Sequence, residues 1–368
     1  MLESGVVSLP QKIKLAYGQY VAKPPTGVGG RVAGAVLRLL AMPYSLCIGI
    51  RNGLYNVGIL QPYEVDRCVV SVGNLSTGGT GKTPLVEWIC RFYREEYLEP
   101  VILSRGYGRG HRKENDESAL LAQALPDVRH YQSKNRVSAA TRAVREGPTD
   151  VFVMDDGFQH RRMARSLDIV VVDAMSPPSE DRVIPAGRLR ESPSSLRRAA
   201  AIVLTRANLV EKQDLETLCE DIQRVAPGAV IAVTRYVPRF LLRVPCGEQS
   251  VLDLARRTET GAFCGIGSPE NFLETLKSVG IEPVTWQVFP DHHWYSDDEL
   301  FSLADSDVKL LLTTPKDAVR IGDRWNGRLP LYAVSADLQF LSGQEELKRL
   351  LSEAVSKDGT KTTRKTQE

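Results

Sequence analysis

The residues with the clearest chemical capacity lie between Ser71 and Pro84, which read SVGNLSTGGTGKTP. Holding a triphosphate needs several backbone N–H groups turned toward one cluster of oxygens, and glycine permits that backbone path without steric cost. Gly78, Gly79 and Gly81 supply the permissive positions, with Ser76, Thr77 and Thr80 between and before them. Lys82 is placed to reach the β- and γ-phosphates, and the Thr83 hydroxyl to meet Mg²⁺. The stretch Ser76–Thr83 is therefore the expected ATP site. An apolar run, Cys68–Val72, leads into it, and a helical pattern leaves it near Thr83, so a helix N-terminus faces the phosphates. Ser76 stands where the pattern G-x-x-x-x-G-K-[ST] has its first glycine. A glycine-rich turn with an incidental lysine does not explain strand, glycines, Lys-Thr and helix in that order.

A second acidic feature follows. The apolar run Val151–Met154 ends in Asp155-Asp156-Gly157. A buried strand ending in aspartate is the usual second element of such nucleotide sites, holding Mg²⁺ directly or through water. Asp155 and Asp156 are both metal candidates, because buried unpaired carboxylates are too costly to serve packing. The competing reading is a solvated Asp-Gly turn. The loop also resembles the KGGxGKT form of partitioning ATPases, but Thr77 occupies the place of that family's signature lysine, which argues against a dimerising ATPase.

These residues need a scaffold, and the hydrophobic pattern supplies one. Cys68–Val72, Val101–Ser104, Val151–Met154, Ile169–Val172 and Ile202–Thr205 read as buried parallel strands, continuous rather than alternating in polarity. Thr83–Tyr93, Ser118–Ala124, Arg136–Arg145 and Lys212–Val225 read as the helices between them. This alternation predicts an open, doubly wound α/β sheet. It resumes with strands at Val230–Val233, Ala262–Ile266, Trp286–Phe289, Leu310–Thr313 and Leu331–Val334. Helices are expected to start near Ser268 and Ser296, with another at Gln344–Ala354. The interruption at Tyr236–Leu254, with its prolines and alternating polarity, reads as a β-ribbon linker between two lobes. The tail after Ser356 lacks large apolar residues and reads as disordered.

Bulk properties narrow the function classes. A chain of 368 residues suggests two domains, and 42% hydrophobic with 25% charged residues is ordinary for a folded protein. The formal net charge of +2 gives no argument for a nucleic-acid partner. Cys47, Cys68, Cys90, Cys219, Cys246 and Cys264 form no CxxC pair and read as reduced thiols. Met1–Lys23 has no secretory pattern. Val32–Leu60 is the most apolar segment, interrupted by Arg38, Pro43 and Arg51. Its uncharged run is short of the roughly 20 residues of a membrane span. It reads either as a helix pair packed on the domain or as an amphipathic segment on a membrane surface, with Arg31, Arg38 and Arg51 reaching headgroups.

Asp155–Arg161 reads DDGFQHR, and with VGNLSTGGTGKTP it closely resembles the tetraacyldisaccharide 4′-kinase family. Further matching blocks are Ser104–Tyr107 (SRGY), Val183–Glu191 (VIPAGRLRE), Phe263–Glu270 (FCGIGSPE), Phe289–His292 (FPDH) and Thr313–Val319 (TTPKDAV). The resemblance implies phosphate transfer from ATP to the 4′-hydroxyl of a tetraacylated glucosamine disaccharide 1-phosphate in lipid A biosynthesis. It implies a peripheral protein at the cytoplasmic face of the inner membrane of Gram-negative-type bacteria, and the chain is expected to be a monomer. It also implies two Rossmann-like lobes joined by a two-stranded β linker, the N-terminal one a P-loop kinase domain. The expected segments are then 1–62 (helical, membrane-associating), 63–235 (nucleotide lobe), 236–254 (linker), 255–356 (C-terminal lobe) and 357–368 (tail).

The family's GDE block matches Asn115-Asp116-Glu117, which carries the catalytic base to Asp116. Its partner histidine carries to His292, with His293 in the same FPDHH run as the alternative. Arg190 and Glu191 match a functional Arg-Glu pair, and Lys82 joins the catalytic set. Asn115, Arg188 and Pro315 depart from the family's usual residues. A carboxylate accepting the proton of a sugar hydroxyl, oriented by a histidine, is sound chemistry for this transfer. The rival readings are a P-loop switch acting on a protein partner, which would hydrolyse nucleotide without a lipid, and a membrane-bound nucleotide sensor that lost its chemistry.

Overall fold

The computed structural model describes residues 27–106 and 116–357. Tyr107 of the SRGY block, Asn115 of the NDE block and the expected disordered tail from Asp358 lie outside these residues. The chain forms two compact units. The smaller holds the residues through Gln61, Leu75–Gly78 and Ser176–Ser195; the larger holds Pro62–Asn74, Gly79–Met175 and the chain from Leu196 onward.

The larger unit is mixed α/β, built on one 12-stranded, mostly parallel sheet. Its strands in chain order are β1 (Cys68–Asn74), β2 (Pro100–Ser104), β3 (Arg129–Gln132), β4 (Val151–Asp155), β5 (Leu167–Asp173), β6 (Ala201–Thr205), β7 (Val230–Val244), β8 (Gln249–Ser250), β9 (Thr260–Cys264), β10 (Thr285–Val288), β11 (Leu310–Thr313) and β12 (Leu331–Ser342). The spatial order is β10-β9-β11-β12-β7-β6-β5-β1-β4-β2-β3, with β8 paired to β7. β1 lies between β4 and β5, parallel to both. The strand order reverses there, and the carboxyl edge of such a switch point is where open α/β sheets bind ligands.

β1 is buried along its whole length because both sheet faces are covered. Cys68, Val70 and Val72 pack on one face with Leu85, Ile89 and Tyr93 of helix α2 (Lys82–Glu95, counting Val28–Asn56 as α1). Val69 faces the other side with Phe152, Met154 and the alanines Ala139, Ala140 and Ala143 of helix α4 (Arg136–Glu146). Helix α3 (Asp116–Ala124) adds Leu121 to the first of these cores. Helix α5 is Lys212–Val225, the range read from sequence.

Three elements differ from expectation. β3, RHYQ, is half-buried at the sheet edge and too polar to register as a strand. The run at Val230–Val233 continues to Val244, and the ribbon it forms is not closed within Tyr236–Leu254. Its main partner is β12, antiparallel over Leu331–Ser342, while Gln249–Ser250 adds only a short hairpin return. Pro238, lacking an N–H, sits beside the register shift opposite Ser335 and Ala336, where a ladder tolerates it. Chain order puts the last helix, Gln344–Lys357, with the second lobe, but Leu347, Leu351, Ala354 and Val355 pack in the nucleotide-lobe core. There the Tyr93 hydroxyl donates to the Leu351 carbonyl at 3.1 Å.

After the ribbon the sheet carries a short helix α6 (Asp253–Arg256), α7 (Pro269–Lys277), α8 (Asp297–Ala304) and α9 (Pro315–Ile321), then α10 (Gln344–Lys357). α8 starts in a capping box: Ser296 accepts from the Glu299 N–H, and Glu299 accepts from the Ser296 N–H.

In the smaller unit, Val28–Asn56 forms one continuous helix rather than a pair, and Pro43 does not break it. By length and composition the stretch Gly29–Asn56 is apolar enough to cross a membrane, contrary to the short-run expectation, because Arg31, Arg38 and Arg51 are too widely spaced to end the apolar stretch. Val32, Leu39, Met42, Leu46 and Ile50 are exposed. Arg38 is exposed, with its Nε on the Gly34 carbonyl at 3.1 Å, whereas Arg51 pairs with Glu191 at 3.5 Å.

Candidate active site

The carbonyls of the glycine-rich loop are tied down on one side. Arg206 Nη2 donates to the Gly79 carbonyl at 2.7 Å, Thr205 Oγ1 to that of Thr80 at 2.9 Å, and the Tyr236 hydroxyl to that of Gly81 at 3.2 Å. In a trans peptide the next N–H points the opposite way. The N–H groups of Thr80, Gly81 and Lys82 therefore face away from this scaffold, as an anion cradle requires. Gly81 has φ +88°, and a β-carbon there would meet the Tyr236 hydroxyl at 1.6 Å, so only glycine fits. The Thr80 side chain is buried and its hydroxyl accepts from Asn74 Nδ2 at 2.9 Å.

Two of the expected ATP ligands are turned to other work. The Thr77 N–H and hydroxyl both donate to the Arg188 carbonyl, at 2.8 and 3.3 Å, so Thr77 is not available to a phosphate. Ser76 bridges Leu189 in the antiparallel sense. Within the smaller unit these residues form the edge of a folded loop, in place of the first glycine of the usual motif.

The DDGFQHR block is split between chemistry and scaffolding. The Gly157 N–H donates to the Val72 carbonyl at 2.9 Å, and Gln159 Nε2 to the Asn74 carbonyl at 2.9 Å. Phe158 is fully buried, with the Arg198 guanidinium 4.3 Å above its ring. The end of β4 is thereby stitched to the end of β1. Asp156 holds φ +51° and lies 3.6 Å from Lys82 Nζ. Asp155 is buried, and its Oδ1 has no hydrogen-bond partner. Burial, followed by the nearby Glu117 charge, pushes its carboxyl up to about 7.

That orphaned oxygen fits a divalent cation. Among the described residues no group of three His, Cys, Asp or Glu side chains forms a metal cage. This suits Mg²⁺, which keeps waters and substrate phosphates in its shell and takes few protein ligands. Thr83 in the first turn of α2 and Asp155 at the end of β4 are the residues that would hold it, with Asp156 engaged by Lys82.

Asp116 opens α3, and the structure brings it to His292. His292 Nδ1 lies 3.5 Å from Asp116 Oδ2. His293 points elsewhere: its Nε2 is 3.0 Å from both Glu299 oxygens, and its ring stacks on Phe289. Of the two histidines, only His292 meets the carboxylate. A third residue, not foreseen, joins them. Arg320 of α9 donates from Nε to Asp116 Oδ2 at 2.6 Å, and its Nη2 is 3.3 Å from His292 Nδ1. Burial pushes the Asp116 carboxyl up, but the bonds from His292 and Arg320 and the Arg320 charge outweigh it and hold it at about 2. Next along α3, Glu117 pairs with Lys316 at 2.9 Å.

Arg190 and Glu191 lie in the smaller unit. The Arg190 N–H donates to the Leu75 carbonyl at 2.6 Å, and its own carbonyl accepts from the Tyr44 hydroxyl at 3.1 Å. Glu191 is 1% exposed and accepts from Asn52 Nδ2 at 2.8 Å as well as pairing with Arg51. It is thus an anchor for α1, too enclosed to touch a substrate, which corrects its expected catalytic place. Arg188 pairs with Asp181 at 2.9 Å rather than standing as a solvated basic side chain.

Thr205, Arg206, Tyr236 and Arg320 carry no motif. The first two had one available signal: they end a strand at the carboxyl edge of the sheet, two strands from the phosphate loop. Tyr236 and Arg320 had none, since their partners are distant in sequence.

The family model described as tetraacyldisaccharide-1-P 4′-kinase matches residues 33–356. The tetraacyldisaccharide 4′-kinase of Anaeromyxobacter dehalogenans strain 2CP-C is 35% identical over 351 residues, covering 88% of this chain and 91% of that protein. That of Chlorobaculum tepidum is 35% identical over 354 residues, covering 89% and 99%. The crystal structure of the Aquifex aeolicus member in complex with ATP superimposes with a TM-score of 0.71 at 30% identity, covering 88% of this chain and 99% of that one. The loop, the acidic strand end and the Asp116–His292 pair sit on a chain matched almost throughout, and that chain belongs to the tetraacyldisaccharide-1-phosphate 4′-kinase family.

Proposed function

We propose that this chain transfers the γ-phosphate of ATP to the 4′-hydroxyl of a tetraacylated glucosamine disaccharide 1-phosphate. The observation that carries the reading is the approach of His292 to Asp116 in a chain that also holds a glycine-rich loop with its carbonyls turned to the scaffold. The loop amides and Lys82 grip the phosphates, and Thr83 and Asp155 would hold Mg²⁺, which would supply charge neutralisation to the transferring phosphate. Asp116 accepts the proton of the sugar hydroxyl as its oxygen bonds the γ-phosphorus and the bond to the ADP oxygen breaks. His292 orients that carboxylate. The bonds from His292 and Arg320 keep that carboxyl ionised and able to accept the proton. Arg190, fixed through its backbone to Leu75, serves as a charge partner for phosphate.

The exposed apolar residues of α1 support a peripheral seat on the cytoplasmic face of the membrane, where a lipid acceptor is within reach. Purified protein given labelled ATP, Mg²⁺ and the tetraacyl disaccharide 1-phosphate should yield the bisphosphorylated lipid. Hydrolysis of ATP with no labelled lipid would instead indicate a nucleotide switch.

A further inference from the structure

Arg320 is 3% exposed, and its guanidinium is anchored before it reaches the site. Nη1 donates to the Gly265 carbonyl at 2.6 Å and to Asp317 Oδ1 at 2.9 Å. Asp317 is itself fully buried and fully engaged. It accepts from the Tyr295 hydroxyl at 3.0 Å, the Thr314 hydroxyl at 2.6 Å and the Gly265 N–H at 3.1 Å. Such a network fixes a planar fork in one orientation. The remaining donors of that fork meet Asp116 Oδ2 and His292 Nδ1. His292 is held at φ +60°, a strained conformation that persists only where surroundings enforce it.

We infer that Arg320 is a positioning residue for phosphoryl transfer, a buried guanidinium fork that holds the Asp116 carboxylate and the His292 imidazole side by side. The inference rests on the assignment of Asp116 as the base. His292 Nδ1 stands between the two, 3.3 Å from Arg320 Nη2 and 3.5 Å from Asp116 Oδ2, while its Nε2 lies 3.9 Å from Asp291 Oδ2. Arg320 also occupies the Asp116 oxygen nearest the histidine, so the dyad is a triad. The alternative is a plain cross-link between α3 and α9, parallel to the Glu117–Lys316 pair.

The two roles separate by pH. The charged and titratable groups facing Asp116 are Arg320 from α9 and His292 from the loop after β10. Its neighbour Glu117 is faced by Lys316, and beyond it by Lys82 and Asp156. Asp291 lies beside His292, and Asp317 beside Arg320. Without Arg320, burial is no longer outweighed to the same degree, and the Asp116 carboxyl rises. The acidic limb of the kcat profile must then move upward, and a lysine, which restores the charge without the fork, separates charge from geometry.

The test compares the wild-type chain, Arg320→Gln, Arg320→Lys and Asp116→Ala. For each, kcat is measured across pH with the lipid acceptor, together with KM for ATP and the melting temperature. Arg320→Gln should lower kcat about 10²-fold, keep KM for ATP within about twofold, and raise the acidic limb by about one pH unit or more. Arg320→Lys, which restores charge without the fork, should recover part of kcat and lower the limb again. If Arg320→Gln fails to fold, the same profile is read from the Arg320→Gln, Asp317→Asn pair, which leaves no buried carboxylate unpaired. A uniform loss of kcat with an unmoved limb, or a wild-type kcat, overturns the inference. If Asp116→Ala is inactive in that case, the base assignment stands and only Arg320 loses its role. An active Asp116→Ala overturns both.

Discussion

At Gly81 two constraints coincide, a left-handed φ and a tyrosine hydroxyl where a side chain would begin. Gly81→Ala should weaken ATP binding by roughly tenfold or more, measured by calorimetry, because the shifted peptide turns amides off the phosphates. Adding Tyr236→Phe removes the hydroxyl but leaves the backbone strain, so little affinity should return. Asp155→Asn should cost about 10³-fold or more in kcat, with folding retained, since the amide keeps the shape and loses the charge that meets Mg²⁺. Chelating the divalent cation from the wild type should give the same loss. The positions of Lys82, Thr83, Asp155 and Asp156 beside the ends of β1 and β4 were legible because local order alone sets them. The scaffold that aims them was not. Arg206 and Tyr236 act on carbonyls more than a hundred positions away, and nothing in their own neighbourhoods marks them.

At the scale of elements, buried parallel strands announce themselves through unbroken apolar runs, and β1, β4, β6 and β11 appear close to where those runs stand. β3 escapes because an edge strand can be polar, and β12 extends beyond its apolar core because pairing with β7, not burial, sustains it. β3 also carries a testable titration. His130 lies 2.8 Å from the Ser104 hydroxyl, and burial holds its imidazole down at about 4. The folded chain therefore resists protonation there, while the unfolded chain takes it up near the ordinary value of about 6.5. Stability from this group is present above pH about 6.5 and is lost progressively as pH falls toward about 4. Melting temperature against pH should decline over that window, and His130→Gln should flatten the decline.

Helix α1 gives a second element-level expectation. Leu39 and Leu46 are 65% and 64% exposed, so replacing both with glutamate removes little packing. Binding to anionic phospholipid vesicles, measured by co-sedimentation, should fall sharply while the melting temperature stays within a few degrees. Retained vesicle binding would contradict the peripheral seat of this face. Its single-helix form was hidden by Pro43 and by Arg38 and Arg51, which read as interruptions; one arginine bonds its own backbone and the other pairs with Glu191.

Across the whole molecule, the phosphate loop and the Asp116–His292–Arg320 cluster are assembled from segments far apart in sequence. The sheet carries both: β1 and β4 end at the phosphate loop and the acidic pair, and β9 to β11 carry the turns that bring His292 and Arg320 to Asp116. The most direct test is a single assay on purified protein with labelled ATP, Mg²⁺ and the tetraacyl disaccharide 1-phosphate, run for the wild type and for Asp116→Ala. The wild type should form labelled 4′-phosphorylated lipid, and Asp116→Ala should form it at least about 10³-fold more slowly while binding ATP normally. Wild-type protein that consumes ATP without labelling the lipid would contradict the account.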